Sequence, residues 1–580
     1  MPETRALPIA AEHREFTVKV GGTAVPREHQ MLSVSISKVA NRIASARLCF
    51  LDGAAAASDF PLSNSELFVP GQGIEILAGA GRETHSLFKG IVVRHSLRVR
   101  DHSAPQLIVE CRHAAMKLTV ARRNATFFDQ SDSDVIEGLL SAASLQGEVE
   151  STSPKHKQLV QFHTSDWDFL LARAEANGKL VLPKDDTLLI KSPALSGTPV
   201  CSLQFGATLL ELDAEIDARQ QFAAVRGVSW DSAQQALLEV DGEEPAITGP
   251  GNLAGSDLAA VAAMDRLELR HAGLVEAETQ AWANATWLRS RLNKVSGRCK
   301  CEGIGSINPG DVVTLAGVGT RFNGNVFVTG VRHEFDLVQH WKTHVQFGGL
   351  HGERTTADDI SAPPAGGLLA RVAGLQIGVV ASNEDPDGEH RVRIRLPMVS
   401  NTDDGIWARV ASLDAGNDRG FFFRPEIGDE VVAGFLDEDP RCAVILGMLH
   451  SSAKAAPLPG SDDNHEKLYK SRAGLRLAFD DEKKELQLDT PAGNSITLSE
   501  DAKSIVLADQ NGNTIKMTAD GITIESAKSL TFKAGTEAKL ESGTSCSVKG
   551  GTELKLEGST KAELSSSAIT KVAGGLVQIN

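Results

Sequence analysis

The sequence predicts a mainly β, multidomain protein, and three observations carry that reading. Runs that alternate apolar and polar residues far outnumber runs with helical spacing. Glycine is plentiful at 53 residues, and the aromatics are few (21 Phe, 6 Trp, 1 Tyr) in a chain of 580. At roughly 150 residues per domain that length suggests about four domains. No stretch approaches the ~18 consecutive apolar residues of a membrane helix, so a soluble chain is expected. The start meets Glu12, His13, Arg14 and Glu15 before an apolar run of signal-peptide length builds up, which predicts synthesis in the cytoplasm without a signal peptide. Seven cysteines, odd in number and spread over the whole chain, argue against a disulfide framework. A net charge of −16 disfavours nonspecific attraction to nucleic acid or an anionic bilayer, leaving only transient membrane contact.

From residue 1 to 362 the text reads as strands with a few helices set in them. FTVKV, SVSIS and GIEIL alternate with period two, as half-buried strands do. Ser165 is an N-cap with Asp168 three residues on; Trp167, Leu170, Leu171 and Ala174 share one face, and Gly178 can close the helix. A second helix is expected over Val135–Ala143, and the longest over Val275–Val295, stopped by Gly297. Residues 363–375 are small and proline-rich, hence a linker. Residues 376–452 hold short strands at a density that suits a five-stranded OB-fold barrel. A second linker over 453–470 leads into a C-terminal region, 471–580.

That last region carries the most informative pattern. From Ser529 the sequence divides into ungapped blocks of eight. Position four is Phe532, Leu540, Val548, Leu556, Leu564 and Val572; position two includes Leu530, Cys546 and Leu554. Positions one, three and five carry Glu537, Lys539, Glu541, Lys555, Glu557 and Lys561, which belong on the opposite face of a strand. Position seven is small, read as a corner where the backbone turns. Each octad is one short strand and one corner. Six octads coiled by one chain into a three-sided solenoid give only two circuits, fewer than the roughly three repeats such structures need. Three chains, each supplying one side of a triangular prism, satisfy the pattern instead: a homotrimeric, triple-stranded β-helix with Leu530, Phe532, Leu540, Val548, Leu554, Leu556, Leu564 and Val572 on its axis. A disordered tail has no reason to keep an apolar residue at every eighth position.

Candidate chemistry is sparse. Asp480 to Glu485 offers paired carboxylates, but between LRLAF and LQLDT it reads as a solvated hairpin turn. His340 and His344, with His333 nearby, have ligand-like spacing on a strand without the acid of a zinc-protease motif. Cys299 and Cys301 lack the spacing of a structural zinc site and read as reduced strand cysteines. No phosphate-binding loop or nucleophile elbow occurs. Arg391, Arg393 and Arg395 could hold a polyanion, but pairing with carboxylates at a trimer interface explains them better. No enzyme activity, cofactor, metal or nucleic-acid partner is therefore expected.

Residues 378–447 resemble the barrel of VgrG proteins and phage baseplate spikes. Asp385-Pro386, Gly388, the Arg391/Arg393/Arg395 alternation, Trp407-Ala408-Arg409, Phe421–Phe423, Pro425-Glu426 and Gly428-Asp429-Glu430-Val431 follow one another in the family's order. Upstream, residues 307–335 look like the closing strands of phage hub proteins, and the segment around Trp167 looks like their helix-to-strand insert. YKSRAGLRLAFDD followed by TPAGNSITL resembles the family's entry into the spike. Residues 41–99 look closer to spikes of extracellular, phage-tail-like contractile injection particles than to type VI secretion spikes. The resemblance implies a homotrimer whose N-terminal β-barrels form a pseudo-sixfold hub beneath an inner tube and baseplate. It also implies a small PAAR-like tip protein, docked on Val577, Gln578, Ile579 and Asn580. A type VI spike carrying effector cargo, or a trimeric tail fibre or adhesin, are the alternatives.

Overall fold

The computed structural model describes residues 14–80, 83–350, 352, 354–361 and 363–579. Asn580, Ala362 and the segment before Arg14 lie outside the described residues. The chain divides into two units, one reaching Gly374 and including Phe435–Cys442, the other made of Leu375–Gly434 and Ala443–Asn580. The first boundary falls inside the expected linker.

In the first unit one continuous sheet is built twice over on the same plan. The first copy comprises β1 (Met31–Val39), β2 (Ser45–Leu51), β3 (Gly73–Ala80), β4 (Glu83–Arg100) and β5 (Ser103–Arg112). The second comprises β6 (Leu209–Ile216), β7 (Val295–Glu302), β8 (Val312–Ala316), β9 (Gly324–Asp336) and β10 (His340–Phe347). The order β1-β2-β5-β4-β3 recurs as β6-β7-β10-β9-β8, every pair antiparallel, and β9 joins the two copies by pairing with β1. Each copy has its own apolar cluster, the first around Ile36, Leu48, Phe50, Phe88 and Val109, the second around Cys299, Val313, Val328, Val345 and Phe347. Alternation along each strand delivers these side chains to one face, and burying one contributes about 1.5–3 kcal/mol.

Among the described residues, three helices of more than ten residues interrupt the strands, besides a short one at Gly255–Ala259. α1 runs Asp132–Ala142, three residues earlier than the expected Val135, because Ser131 and Asp134 form a reciprocal capping box. α2 runs Asp166–Ala176 with Ser165 as N-cap and Gly178 at φ 66° beyond its end, as its sequence predicts. α3 runs Glu276–Leu292 and closes at Asn293; Gly297 lies inside β7 and does not stop it. Ile136, Leu140, Trp167, Leu170 and Leu171 form a third core beneath α1 and α2.

The second unit begins with a closed barrel in the order β11 (Gln376–Ser382), β12 (Val392–Arg395), β13 (Ile406–Val410), β15 (Ala443–Met448) and β14 (Glu430–Phe435). Val380, Val392, Ile394, Ala408, Val431 and Ile445 fill it. Seven five-residue strands follow, β16 to β22: Glu466–Lys470, Arg476–Asp480, Glu485–Asp489, Ser495–Ser499, Ser504–Ala508, Thr514–Thr518 and Gly521–Glu525. Each pairs antiparallel with the next. Here the structure departs from the expected intertwined helix starting at 471, since these strands pair within one chain. Tight turns with positive φ at Gly474, Lys484, Gly493, Lys503 and Gly512 fold the chain back on itself, making the local partner the nearest one. Only after Glu525 does the octad region begin.

Candidate functional site

Cross-strand register sorts the ladder's side chains onto two unlike faces. Tyr469, Leu477, Leu488, Ile496, Leu507, Ile515 and Ile524 stand opposite one another from strand to strand, and Phe479, Leu486, Leu498, Ile505, Met517 and Ile522 form a parallel row two residues away. The other face is mostly polar, with Arg476 on Asp489 at 2.9 Å. Among the described residues of this unit nothing covers the apolar face: Phe479 is 46% exposed and Ile522 68%. Shallow hollows of about 1030 and 770 Å³ lie along this sheet, lined by Leu488, Ile496, Leu507 and Ile515 in one and Phe479, Leu498, Ile505 and Met517 in the other.

Beyond Glu525 the chain bends at 527–528, 535–536, 543–544, 551–552, 559–560, 567–568 and 575–576, a strict period of eight, with no strand assigned between the bends. The bends coincide with octad positions seven and eight. Within the chain, added Cβ atoms at Gly535, Gly543, Gly551 and Gly575 meet nothing within 4 Å. The tight places are at position six, where a Cβ on Gly550 or Gly558 comes within 2.2–2.3 Å of a following carbonyl oxygen. Lys539 pairs with Glu537 at 3.2 Å, Lys555 with Glu557 at 2.6 Å, and Lys561 with Glu563. Pairs two residues apart require both side chains on one side of an extended segment, opposite to the residues between them. Leu530, Phe532, Leu540, Val548, Leu554, Leu556, Leu564 and Val572 are all exposed, Leu556 to 81%. At the end, Val577 is half-exposed and Ile579 91% exposed; Gln578 is exposed too.

Other sequence candidates do not converge. Asp480 accepts the backbone N–H of Lys483 and its ammonium, which holds the carboxyl below the usual aspartate range in an ordinary hairpin turn. His333 stands opposite Thr343 and His344 opposite Arg332, so the two imidazoles sit on opposite faces of one sheet. Burial pushes His333 down to about 3 and Cys299 up to about 12, as suits uncharged core groups. Arg391 bonds Asp385 at 2.8 Å and Asp387 at 2.5 Å, and Arg391 and Arg393 lie over Trp407, so carboxylates and a ring of the same barrel occupy these cations.

Sequence reasoning missed one buried polar cluster in the first unit. Asp132 accepts from Arg173 at 2.6 and 3.0 Å and from Asn177 at 2.8 Å; His156 lies 3.1 Å away. Arg173 also reaches Glu278, tying α1, α2 and α3 together. Burial opposes ionisation of Asp132, but Arg173, Asn177 and His156 outweigh it and lower its pKa. The acid at the start of α1 was the only trace of this in the sequence.

Three family models match. One described as the Alg8 N-terminal domain matches residues 10–336, the type VI secretion system/phage-baseplate injector OB domain matches 376–450, and the phage baseplate V C-terminal trimerisation domain matches 485–580. Among solved structures, a 43 kDa tail protein of prophage MuSo2 from Shewanella oneidensis is 15% identical, with a TM-score of 0.43, covering 58% of this chain and 98% of that one. An E. coli component of the type VI secretion system is 15% identical, with a TM-score of 0.38, covering 74% and 99%. A Francisella PdpA–VgrG complex is 9% identical, with a TM-score of 0.38, covering 88% of each.

Proposed function

The chain belongs to the family of the Alg8 N-terminal domain and, with an injector OB domain and a baseplate trimerisation domain behind it, is a VgrG-like baseplate spike of the type VI secretion and phage-tail kind; from that premise we propose that its work is mechanical. One observation carries the proposal. A ladder apolar on one face and polar on the other, followed by octads with every apolar residue exposed, is stable only when further copies cover it. Three copies supply that cover. The apolar ladder faces turn inward, and the position-two and position-four residues from Leu530 to Val572 meet on the threefold axis. A rod so built has no mobile loops and transmits thrust from a contracting sheath to a small area. The first unit serves as the hub that receives inner tube and baseplate.

No catalytic step belongs to this reading, and no cofactor. The particle it joins is of the extracellular, phage-tail-like type, a reading supported by the likeness of residues 41–99 to such spikes. The injector OB match fits a type VI spike with effector cargo equally well, and the two readings share the same trimer.

A small PAAR-like tip protein caps the far end. Val577 and Ile579 stand uncovered beyond the last bend of the octads, and an uncovered apolar edge invites pairing with another chain. Val577, Gln578, Ile579 and Asn580 carry no His, Cys or carboxylate side chain of the kind that ligates a metal. Strand addition onto 577–580 is the fitting mode. Deleting these four residues is expected to leave a soluble trimer by native mass spectrometry and to abolish co-purification of the tip. Full retention of the tip by the truncated spike places the docking site elsewhere.

A further inference from the structure

The ladder of the shaft is a tandem repeat of 19 residues. Gly474, Gly493 and Gly512 are 19 apart, and so are the residues that open the turns around them, Ser471, Thr490 and Asp509. The strands keep the same step: Leu477, Ile496 and Ile515 are equivalent, as are Phe479, Leu498 and Met517. At the other edge the pairs Asp480–Glu485 and Ser499–Ser504 each enclose four residues, whereas Thr518–Gly521 encloses two, so the third repeat is shorter by two.

The three turns are wired alike. Each glycine has a positive φ, 84°, 98° and 87°, and its amide donates to the carbonyl of the opening residue at 2.9, 3.0 and 3.3 Å. The next residue donates its amide to the side-chain oxygen of Ser471, Thr490 or Asp509, at 3.0, 3.2 and 2.8 Å. That next residue is where they differ: Leu475 in the first turn, Asn494 and Asn513 in the others. Asn494 donates its Nδ2–H to Thr490 Oγ1 at 3.1 Å, and its Oδ1 accepts the backbone N–H of Gln510, in the following turn, at 3.1 Å. Asn513 repeats this with Asp509 at 2.7 Å and with the N–H of Ala527 at 2.9 Å; allowing for the two missing residues, Ala527 is the equivalent of Gln510. The first turn breaks the pattern on both sides. Gln510 follows Asn494 by 16 residues, and 16 residues after Leu475 stands Pro491, which has no N–H to give. The Pro491 ring lies against the turn instead, its Cγ 2.9 Å from where a Cβ on Gly474 would stand.

We propose that Asn494 and Asn513 are positioning residues that pin each turn along this edge of the shaft to the next, and that the Leu475–Pro491 step is left unpinned as a compliant joint at the shaft's entry. Acceptor and donor are present together at two steps and absent together at the third, which is the mark of a matched pair. A hydrogen bond fixes a distance and an angle, whereas an apolar ring against a turn has no preferred direction and lets the two slide. The inference deepens the mechanical reading and rests on it, because a pin matters in a shaft that carries load.

Hydrogen exchange in the full-length protein reads the pins directly. The amides of Gly474 and Leu475 have the same partners within their turn as those of Gly493 and Asn494, and are expected to exchange about fivefold faster, the worth of one hydrogen bond. Pro491→Gln supplies a donor without an acceptor and Leu475→Asn an acceptor without a donor, so neither alone should slow the first turn. Together they should slow the amide gained at position 491 about fivefold relative to Pro491→Gln alone, an effect the single changes do not sum to. Asn494→Ala should speed exchange of the Gln510 amide by the same factor, and Asn494→Asp, which keeps the acceptor, should restore it. Equal exchange in the three turns, or a double variant no slower than its singles, overturns the pins and leaves the mechanical reading standing, because the chain is measured without load. The expected exchange pattern in a chain that native mass spectrometry shows to be monomeric removes the loaded shaft, and with it the compliant joint.

Discussion

The hub sheet and the C-terminal shaft use the same alphabet of short, alternating strands and reach opposite outcomes. In the hub, Ile36, Leu48 and Val109 point from three neighbouring strands into one core, and each is fully buried by its own chain. In the shaft, Leu488, Ile496 and Leu507 are in equally good register from strand to strand, yet they remain 37–43% exposed. The difference is layering. A sheet has two faces and needs a second apolar layer to bury one of them. The hub chain curls back to supply that layer within each copy of its plan, Ile76 and Phe88 joining Ile36, Leu48 and Val109 in one cluster, while the shaft chain, five residues per strand, has none to offer. Subunit association is thus part of folding for the shaft and only an addition for the hub.

The change that tests this contrast most severely is Leu556→Asp. On the proposed threefold axis it would place three carboxylates together in a dry core, where like charge and desolvation both oppose assembly. Trimers should be lost or badly weakened by native mass spectrometry, while hub residues keep their hydrogen-exchange protection. A mutant as trimeric and as stable as wild type removes the axis assignment.

A smaller effect, confined to the hub, is expected at the polar tie between its helices. Asp132→Ala leaves Arg173 buried with Glu278 and the His156 ring as neighbours but without its bidentate carboxylate, and breaking such a buried ionic cluster costs about 3–5 kcal/mol. The hub transition in calorimetry should fall while the trimer mass is unchanged. Because the folded pKa of Asp132 is lowered, its contribution is fully present above the ordinary aspartate value and is lost as pH falls through the lowered one. The mutant should therefore lose less hub stability on acidification than wild type; equal acid sensitivity in the two proteins sinks this role for Asp132.

Legibility in the sequence followed the same division. The barrel over 376–452, the helix capped by Ser165 and the eight-residue bends are all local patterns, and local patterns are written in consecutive residues. The meander of 466–525 was not separated from the octads, because antiparallel hairpins and intertwined strands share the same alternation and differ only in partner. The duplicated hub plan was invisible for a related reason. Its equivalence lies in pairing and bulge positions, and the paired residues themselves differ, Ser33 standing where Glu211 does and Gly330 where Arg94 does. The cluster around Asp132 joins residues up to 146 positions apart, from Asp132 to Glu278, and no spacing rule spans that distance.

The smallest expected effect is none at all, and it bears on whether the shaft does chemistry. Asp480 and Glu485 are the nearest thing to a paired-carboxylate site, yet they are the closing pair of the β17–β18 hairpin, with Asp480 committed to Lys483. A general acid needs a raised pKa and a pocket, whereas Asp480 is held below the usual carboxylate range at an exposed turn. Replacing both by Ala removes a turn contact at the surface, where single changes usually stay within ~0.5 kcal/mol. Injection by assembled particles and the trimer's melting temperature should both be unchanged, and the purified chain should release nothing from peptidoglycan. Muralytic activity that the double change abolishes would make the shaft an enzyme, and its difference from the hub would then be one of chemistry as well as of folding.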